Sequence, residues 1–164
     1  MRYFLLILTA FALISCGSSS KFKTYNGPQV TQILVDKTAR KMWLLNGSKA
    51  LRTYDVDLGF APRGHKFKEG DGRTPEGVYR IDRRNPNSAY HLSLGISYPN
   101  AQDRAKARAA GVSPGGDIFI HGGPRLLADR NKADWTAGCI SVTNREMEEI
   151  YAMVQDGTPI LIKP

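Results

Sequence analysis

The chain has 164 residues, 41% of them hydrophobic and 23% charged, which is material for one domain with a single core. No second composition shift, internal repeat or long polar linker follows Thr24, which excludes a multi-domain array. The formal net charge of +8 suits an anionic partner or a generally basic, soluble face.

Met1-Arg2 followed by the apolar run Tyr3 to Ile14 gives a positive start and an apolar stretch too short to span and remain in a bilayer. This predicts an export signal. Its end, Leu13-Ile14-Ser15-Cys16, resembles the bacterial lipobox, in which the cysteine sulfur receives a diacylglycerol and becomes the mature N-terminus. Residues 1–15 are then a lipoprotein signal peptide, residues 16–29 a lipidated N-terminus and flexible tether containing Gly17-Ser18-Ser19-Ser20, and residues 30–164 the folded domain. An exported basic domain meets cell-wall or lipid phosphates rather than nucleic acid.

Thr31 to Val35 and Lys41 to Leu45 read as strands, and Asn46-Gly47 is a hairpin signal. Leu51 to Leu58 alternates Tyr54, Val56 and Leu58 against Asp55 and Asp57, so a third strand with one buried face completes a meander. Gly59 to Gly77 is rich in Gly, Pro and charge. It lacks the glycine fingerprint of a phosphate-binding loop and reads as turns leading into a strand over Val78 to Ile81.

Tyr90 to Leu94 alternates again, which predicts a strand with Tyr90, Leu92 and Leu94 on one face and His91 and Ser93 on the other. Ala101 to Ala110 reads as a short charged helix ended by Gly111. Asp117 to Ile120 is a short apolar strand that delivers His121 at its end, before Gly122-Gly123. Thr143-Asn144-Arg145-Glu146 has the capping-box pattern, and the helix it opens carries Met147, Ile150, Tyr151 and Val154 at core spacing. Asp156 to Pro159 then turns the chain into a last strand, Ile160 to Ile162.

Two cysteines in an exported domain would ordinarily pair. If Cys16 carries lipid, Cys139 is an unpaired thiol in an oxidising compartment, and burial or use would justify it about equally. Near Cys139 the chain supplies His121 and a Gly turn, the parts that thiol acyl transfer needs: a nucleophile, a proton acceptor and free N–H groups for an oxyanion. His65, His91, His121 and Cys139 contain no pair at short ligand spacing, so no metal is expected.

These residues resemble the YkuD-type L,D-transpeptidases of bacterial cell walls. The family pattern is His, a Gly-containing loop, then Ser or Thr, any residue, Gly and Cys. Here it is His121-Gly122 and, after an intervening segment of 14 residues (122–135), Thr136-Ala137-Gly138-Cys139. Similarity extends to Gly72 to Tyr79, Ser93 to Pro99 and Asp156 to Ile160, so it covers about Val30 to Pro164.

The resemblance implies a mainly β fold with two short helices, a β-sandwich or partly open barrel. It makes Cys139 the nucleophile, His121 its general base, and the N–H groups of Ala137, Gly138 and Cys139 the oxyanion hole. Thr136, Trp135, His91, Gly122 and Ser141 are weaker substrate-binding candidates. No cofactor is implied.

Many members carry His where this chain has Ala137, and Arg or Asn where it has Ser141, which removes a second imidazole and a group that could hold a substrate carboxylate. The features look closer to the branch that includes wall-detaching hydrolases.

The implied partners are peptidoglycan stem peptides, a membrane through the N-terminal lipid, and a wall-linked protein as acceptor or substrate. The implied location is the periplasm, anchored to the outer membrane in preference to the inner. A non-catalytic wall-binding lipoprotein is the alternative from another class.

Overall fold

The computed structural model describes residues 20–129 and 131–164. The expected signal peptide and Cys16 lie outside the described residues. No helix among the described residues is long and apolar enough to cross a membrane.

The meander forms as its patterning dictates: β1 (Gln32–Asp36), β2 (Lys41–Asn46) and β3 (Lys49–Asp55) pair antiparallel in sequence. Gly47 at the hairpin tip has a φ of 57°, the left-handed geometry that Asn-Gly turns supply. The alternation after β3 holds, with Tyr54, Val56 and Leu58 buried, although ladder pairing stops at Asp55.

The strand expected over Val78 to Ile81 is longer, β4 (Gly77–Asn85). It is followed by β5 (Ser93–Ile96), α1 (Ala101–Ala109), β6 (Phe119–His121), β7 (Ile140–Ser141), α2 (Asn144–Met153) and β8 (Pro159–Lys163). The short 127–129 turn is 3₁₀.

All eight strands belong to one sheet in the order β3-β2-β1-β8-β4-β5-β6-β7. β8 enters between β1 (parallel) and β4 (antiparallel). The edges then approach each other. Asp57, just beyond β3, exchanges both backbone hydrogen bonds with Ser141 of β7 (3.0 and 2.8 Å), and Gly59 bridges Thr136. The fold is therefore mostly β with two helices, a single sheet curled into an open half-barrel.

Ile33, Leu44, Ile81, Leu94, Ile120, Ile140 and Ile160 fill the inside together with Met147 and Ile150 of α2. Both helices are capped reciprocally. Thr143 and Glu146 do this for α2 as the sequence predicts, and Asn100 and Asp103 do it for α1.

The alternation from Tyr90 to Leu94 is not a strand throughout. His91 has a φ of 74°, which breaks the extended path, so Tyr90 and His91 belong to a turn and β5 begins at Ser93. Four consecutive residues of β5 are buried, so Leu92 and Leu94 face the core while Ser93 is covered from the opposite side.

Residues 20–29, expected within the flexible tether, lie in part against the domain. Lys21 Nζ donates to the carbonyls of Pro86 (2.7 Å) and His91 (3.3 Å). Lys23 pairs with Glu148 at 3.2 Å, and Phe22 packs near Tyr151.

The 59–77 loop is likewise fastened. Lys37, 2% exposed, gives its ammonium to the carbonyls of Gly64 (2.7 Å) and Thr74 (3.0 Å) and to Glu76 (2.7 Å), so its burial is fully matched.

Candidate active site

The parallel pairing of β6 with β7 brings the motif together. Ile120 pairs with Ile140 and His121 with Ser141. Both isoleucines are buried in the core. Side chains alternate along a strand, so Phe119 and His121 point away from the core, as do Cys139 and Ser141. Cys139 thus stands diagonally across from His121, with backbones separated by about 7–8 Å, and both side chains line one cleft of ≈ 410 Å³.

The cysteine turn is held from three sides. Thr136 Oγ1 donates to the Cys139 carbonyl (2.7 Å) and accepts the Gly138 N–H (3.1 Å). The Thr136 N–H donates to the Leu58 carbonyl at 3.1 Å, and the Phe60 N–H donates to the Thr136 carbonyl at 2.9 Å.

Asp134, with a φ of 51°, grips the Arg40 guanidinium through both carboxylate oxygens (2.9 and 2.7 Å) and accepts Leu58 N–H (3.0 Å). Gly138 has a φ of 133°, and a Cβ there would meet the Arg73 carbonyl oxygen at 2.7 Å. Only glycine fits both the backbone angle and the space.

That turn distinguishes the three expected oxyanion donors. The Gly138 N–H is already committed to Thr136, so it does not stand free. The N–H groups of Ala137 and Cys139 take no part in the hydrogen bonds that close the turn.

His121 is 4% exposed, and its Nδ1 lies 2.6 Å from the Gly122 carbonyl. A carbonyl can only accept, so Nδ1 carries the proton and Nε2 is left as the lone-pair nitrogen. Burial pushes the imidazole below its ordinary value, opposed only in part by that bond. Burial likewise pushes the Cys139 thiol up, with the Phe119 N–H acting in the other direction. Both shifts favour the uncharged forms, a thiol and a neutral imidazole. Cys139 Sγ donates to the Asp117 carbonyl at 3.5 Å while the Asp117 carboxylate pairs with Arg83 (3.0 Å).

The remaining candidates separate. Trp135, Thr136 and Ala137 line the cleft. Gly122 serves through its carbonyl, and its Cα packs against Asn144. Ser141 is buried and lines the neighbouring hollow with Asp57 and Gly123. His91 is not in the cleft. Its Nε2 faces Glu148 at 2.9 Å, because the left-handed turn at His91 sends the ring toward α2. His65 is bound between Glu76 N–H and Asp103, so the histidines serve separate networks.

Residues that the sequence reading missed complete the cleft. The Tyr90 ring lies 4.5 Å from the His121 ring, tilted by 31°, and Trp135 meets that imidazole edge-on at 5.6 Å. Asn85, Ser88, Ser93, Phe119 and Asp129 also face in. Adjacent chemistry on paired strands was the only signal for them, and it needs the register to be read.

Known proteins share this sequence pattern and fold. The chain is 29% identical over 174 aligned residues to YafK of Escherichia coli (strain K12), a provisionally named L,D-transpeptidase, covering 94% of this chain and 64% of that protein. The helical cell shape determining protein Pgp2 of Campylobacter jejuni is 28% identical with a TM-score of 0.64, over 85% of this chain and 50% of that one. Bd1075 of Bdellovibrio bacteriovorus is 28% identical with a TM-score of 0.58, over 82% and 48%. The chain thus spans from about half to just under two thirds of these relatives' lengths. Residues 30–162 match the YkuD model, described as the L,D-transpeptidase catalytic domain, and the chain belongs to that family.

Proposed function

We propose that this protein is a cysteine acyltransferase that forms a thioester with peptidoglycan stem peptides and passes it to an amine. The observation that carries the reading is the fixed tautomer of His121: the Nδ1–H···O=C bond to Gly122 leaves Nε2 as a base in the cleft that also holds Cys139.

Cys139 Sγ attacks the carbonyl at the L-centre of the stem's diamino acid while its proton passes to His121 Nε2. The oxyanion is held by turn N–H groups, of which those of Ala137 and Cys139 are free to serve. The tetrahedral centre then collapses. The C–N bond to D-alanine breaks, the imidazolium returns its proton to the leaving amine, and the S–C bond remains.

An amine from another stem or from a wall-linked protein resolves the thioester by transfer. Water resolves the same intermediate by hydrolysis, which would shorten stems or detach a wall-linked protein. We place the protein in the periplasm, held to the outer membrane by lipid on Cys16. The likeness to Pgp2, a helical cell shape determining protein, supports a part in wall architecture.

Intact-mass analysis after mixing the protein with tetrapeptide stems tests this reading. The expected result is an acyl adduct on Cys139 that is absent from Cys139→Ala and reduced at least about 100-fold in rate by His121→Ala. An accessible but unmodified thiol overturns it. Digestion of treated sacculi then separates crosslinks from shortened stems and released protein.

A further inference from the structure

The segment ahead of β1 grips the turn between β4 and β5 at both ends. Lys21 Nζ donates to the Pro86 carbonyl at 2.7 Å and to the His91 carbonyl at 3.3 Å, so one ammonium bridges the start and the end of the 86–91 turn. Lys23 reaches one oxygen of Glu148 at 3.2 Å, and the other oxygen faces His91 Nε2 at 2.9 Å. Glu148 thereby ties both the segment and the turn to α2. Between the two lysines, Phe22 packs near Tyr151, with 6.4 Å between ring centroids.

The turn held in this way is strained and lies on the imidazole. His91 has a φ of 74°, a left-handed angle that a residue with a Cβ keeps only where its surroundings enforce it. The Tyr90 ring sits 4.5 Å from the His121 ring, and the Tyr90 carbonyl accepts the Gly122 N–H at 3.1 Å. Gly122 is the residue whose carbonyl sets the His121 tautomer. Tyr90 is 38% exposed, so core packing alone does not fix its place, and the turn backbone must do so. Every link from Lys21 to the imidazole is thus a direct contact or a neighbouring residue.

We propose that Lys21 and Lys23 are positioning residues for His121, holding the 86–91 turn so that Tyr90 covers the imidazole and the Gly122 peptide keeps its place. The inference deepens the reading of His121 as the base, and only its kinetic consequence rests on that reading. Lys21 carries most of the effect, because its ammonium serves two carbonyls whereas Lys23 is 43% exposed and its ion pair is weakened by solvent.

NMR of the imidazole C–H signals in the full chain reads this contact without turnover. Tyr90→Leu defines the His121 signals with the neighbouring ring gone. Lys21→Ala should move the His121 signals toward those positions, and Lys23→Ala should move them less. Glu148→Gln, which loosens His91 from α2 and leaves Lys21 in place, should move them in the same direction. His65, bound between Glu76 and Asp103, should stay where it is. On the Tyr90→Leu background Lys21→Ala should have a much smaller effect, since both substitutions act through one contact. The maximal rate of Cys139 acylation should fall about tenfold in Lys21→Ala.

His121 signals unmoved in Lys21→Ala, an equal shift at His65, or an undiminished effect of Lys21→Ala without the Tyr90 ring overturns the inference. If Lys21→Ala does not fold, unmoved His121 signals in both Lys23→Ala and Glu148→Gln overturn it. A wild-type acylation rate in Lys21→Ala also overturns it. A wild-type chain that is not acylated, alongside His121 signals that follow Lys21, removes only the acyl-transfer reading.

Discussion

His121 shows how one backbone contact sets the chemistry of a side chain. The Gly122 carbonyl fixes the proton on Nδ1, and burial favours the neutral ring, which leaves Nε2 with its lone pair. Cys139 is shifted the opposite way, toward the thiol. Alkylation of Cys139 by iodoacetamide should therefore be slower at pH 7 than that of a free cysteine, and should rise through a midpoint above the ordinary thiol value of ~8.5. A rate already at its plateau near pH 5 would show a thiolate–imidazolium pair at rest instead.

That Cys139 and His121 share one cleft was legible because each needs only a residue type at a known spacing. The bond from the Gly138 N–H to Thr136 Oγ1 was not legible, because it is a contact of the folded turn that no spacing reveals.

Among the elements, those with their own periodicity were read from sequence and those defined by a partner were not. The capping box at Thr143 and the buried face of α2 are local, so residues four apart suffice to announce them. β7 is two residues long, and its place is set by Phe119–His121 on one side and Asp57 on the other. Tyr90 to Leu94 misled because alternation describes an extended path that His91 does not follow.

Gly59 shows how tightly the 59–77 loop and the cysteine turn interlock. A Cβ there would run into the Gly72 carbonyl oxygen and lie 2.9 Å from the Gly138 Cα. Since those neighbours are backbone, Gly59→Ala should cost about 1–3 kcal/mol and displace the turn. Urea unfolding checks the stability. Loss of stem acylation by the folded fraction checks the displacement, and wild-type values in both measurements would refute the close approach.

Across the whole molecule, titratable groups whose folded environment shifts them make stability depend on acid. His121 titrates below its unfolded value near 6.5, so the unfolded chain takes up that proton first and stability falls as pH drops below about 6.5. Burial works against the Asp71 carboxylate, but the N–H groups of Phe67 and Lys68, the Lys66 ammonium and the Arg73 N–H outweigh it and hold it at about 2. Its contribution is present above the ordinary 3.8 and is lost as pH falls toward 2.

Melting temperatures from pH 8 to 3 should therefore decline in two stages. His121→Gln should flatten the upper stage, and an unchanged upper stage in that variant would remove His121 as its cause. The overall class and the meander could be read from composition and alternation. The insertion of β8 between β1 and β4 could not, since pairing between distant segments is decided by the finished core.

Ser20 stands four positions after Cys16, and Lys21 fastens the chain to the turn that carries Tyr90 over His121. With lipid on Cys16 as proposed, those few peptide units extend no more than about 14 Å. The cleft that holds Cys139 would then work on a short leash beside the bilayer. Which glycan layers it can touch becomes a question of reach, set by the gap between envelope layers before any affinity comes into play.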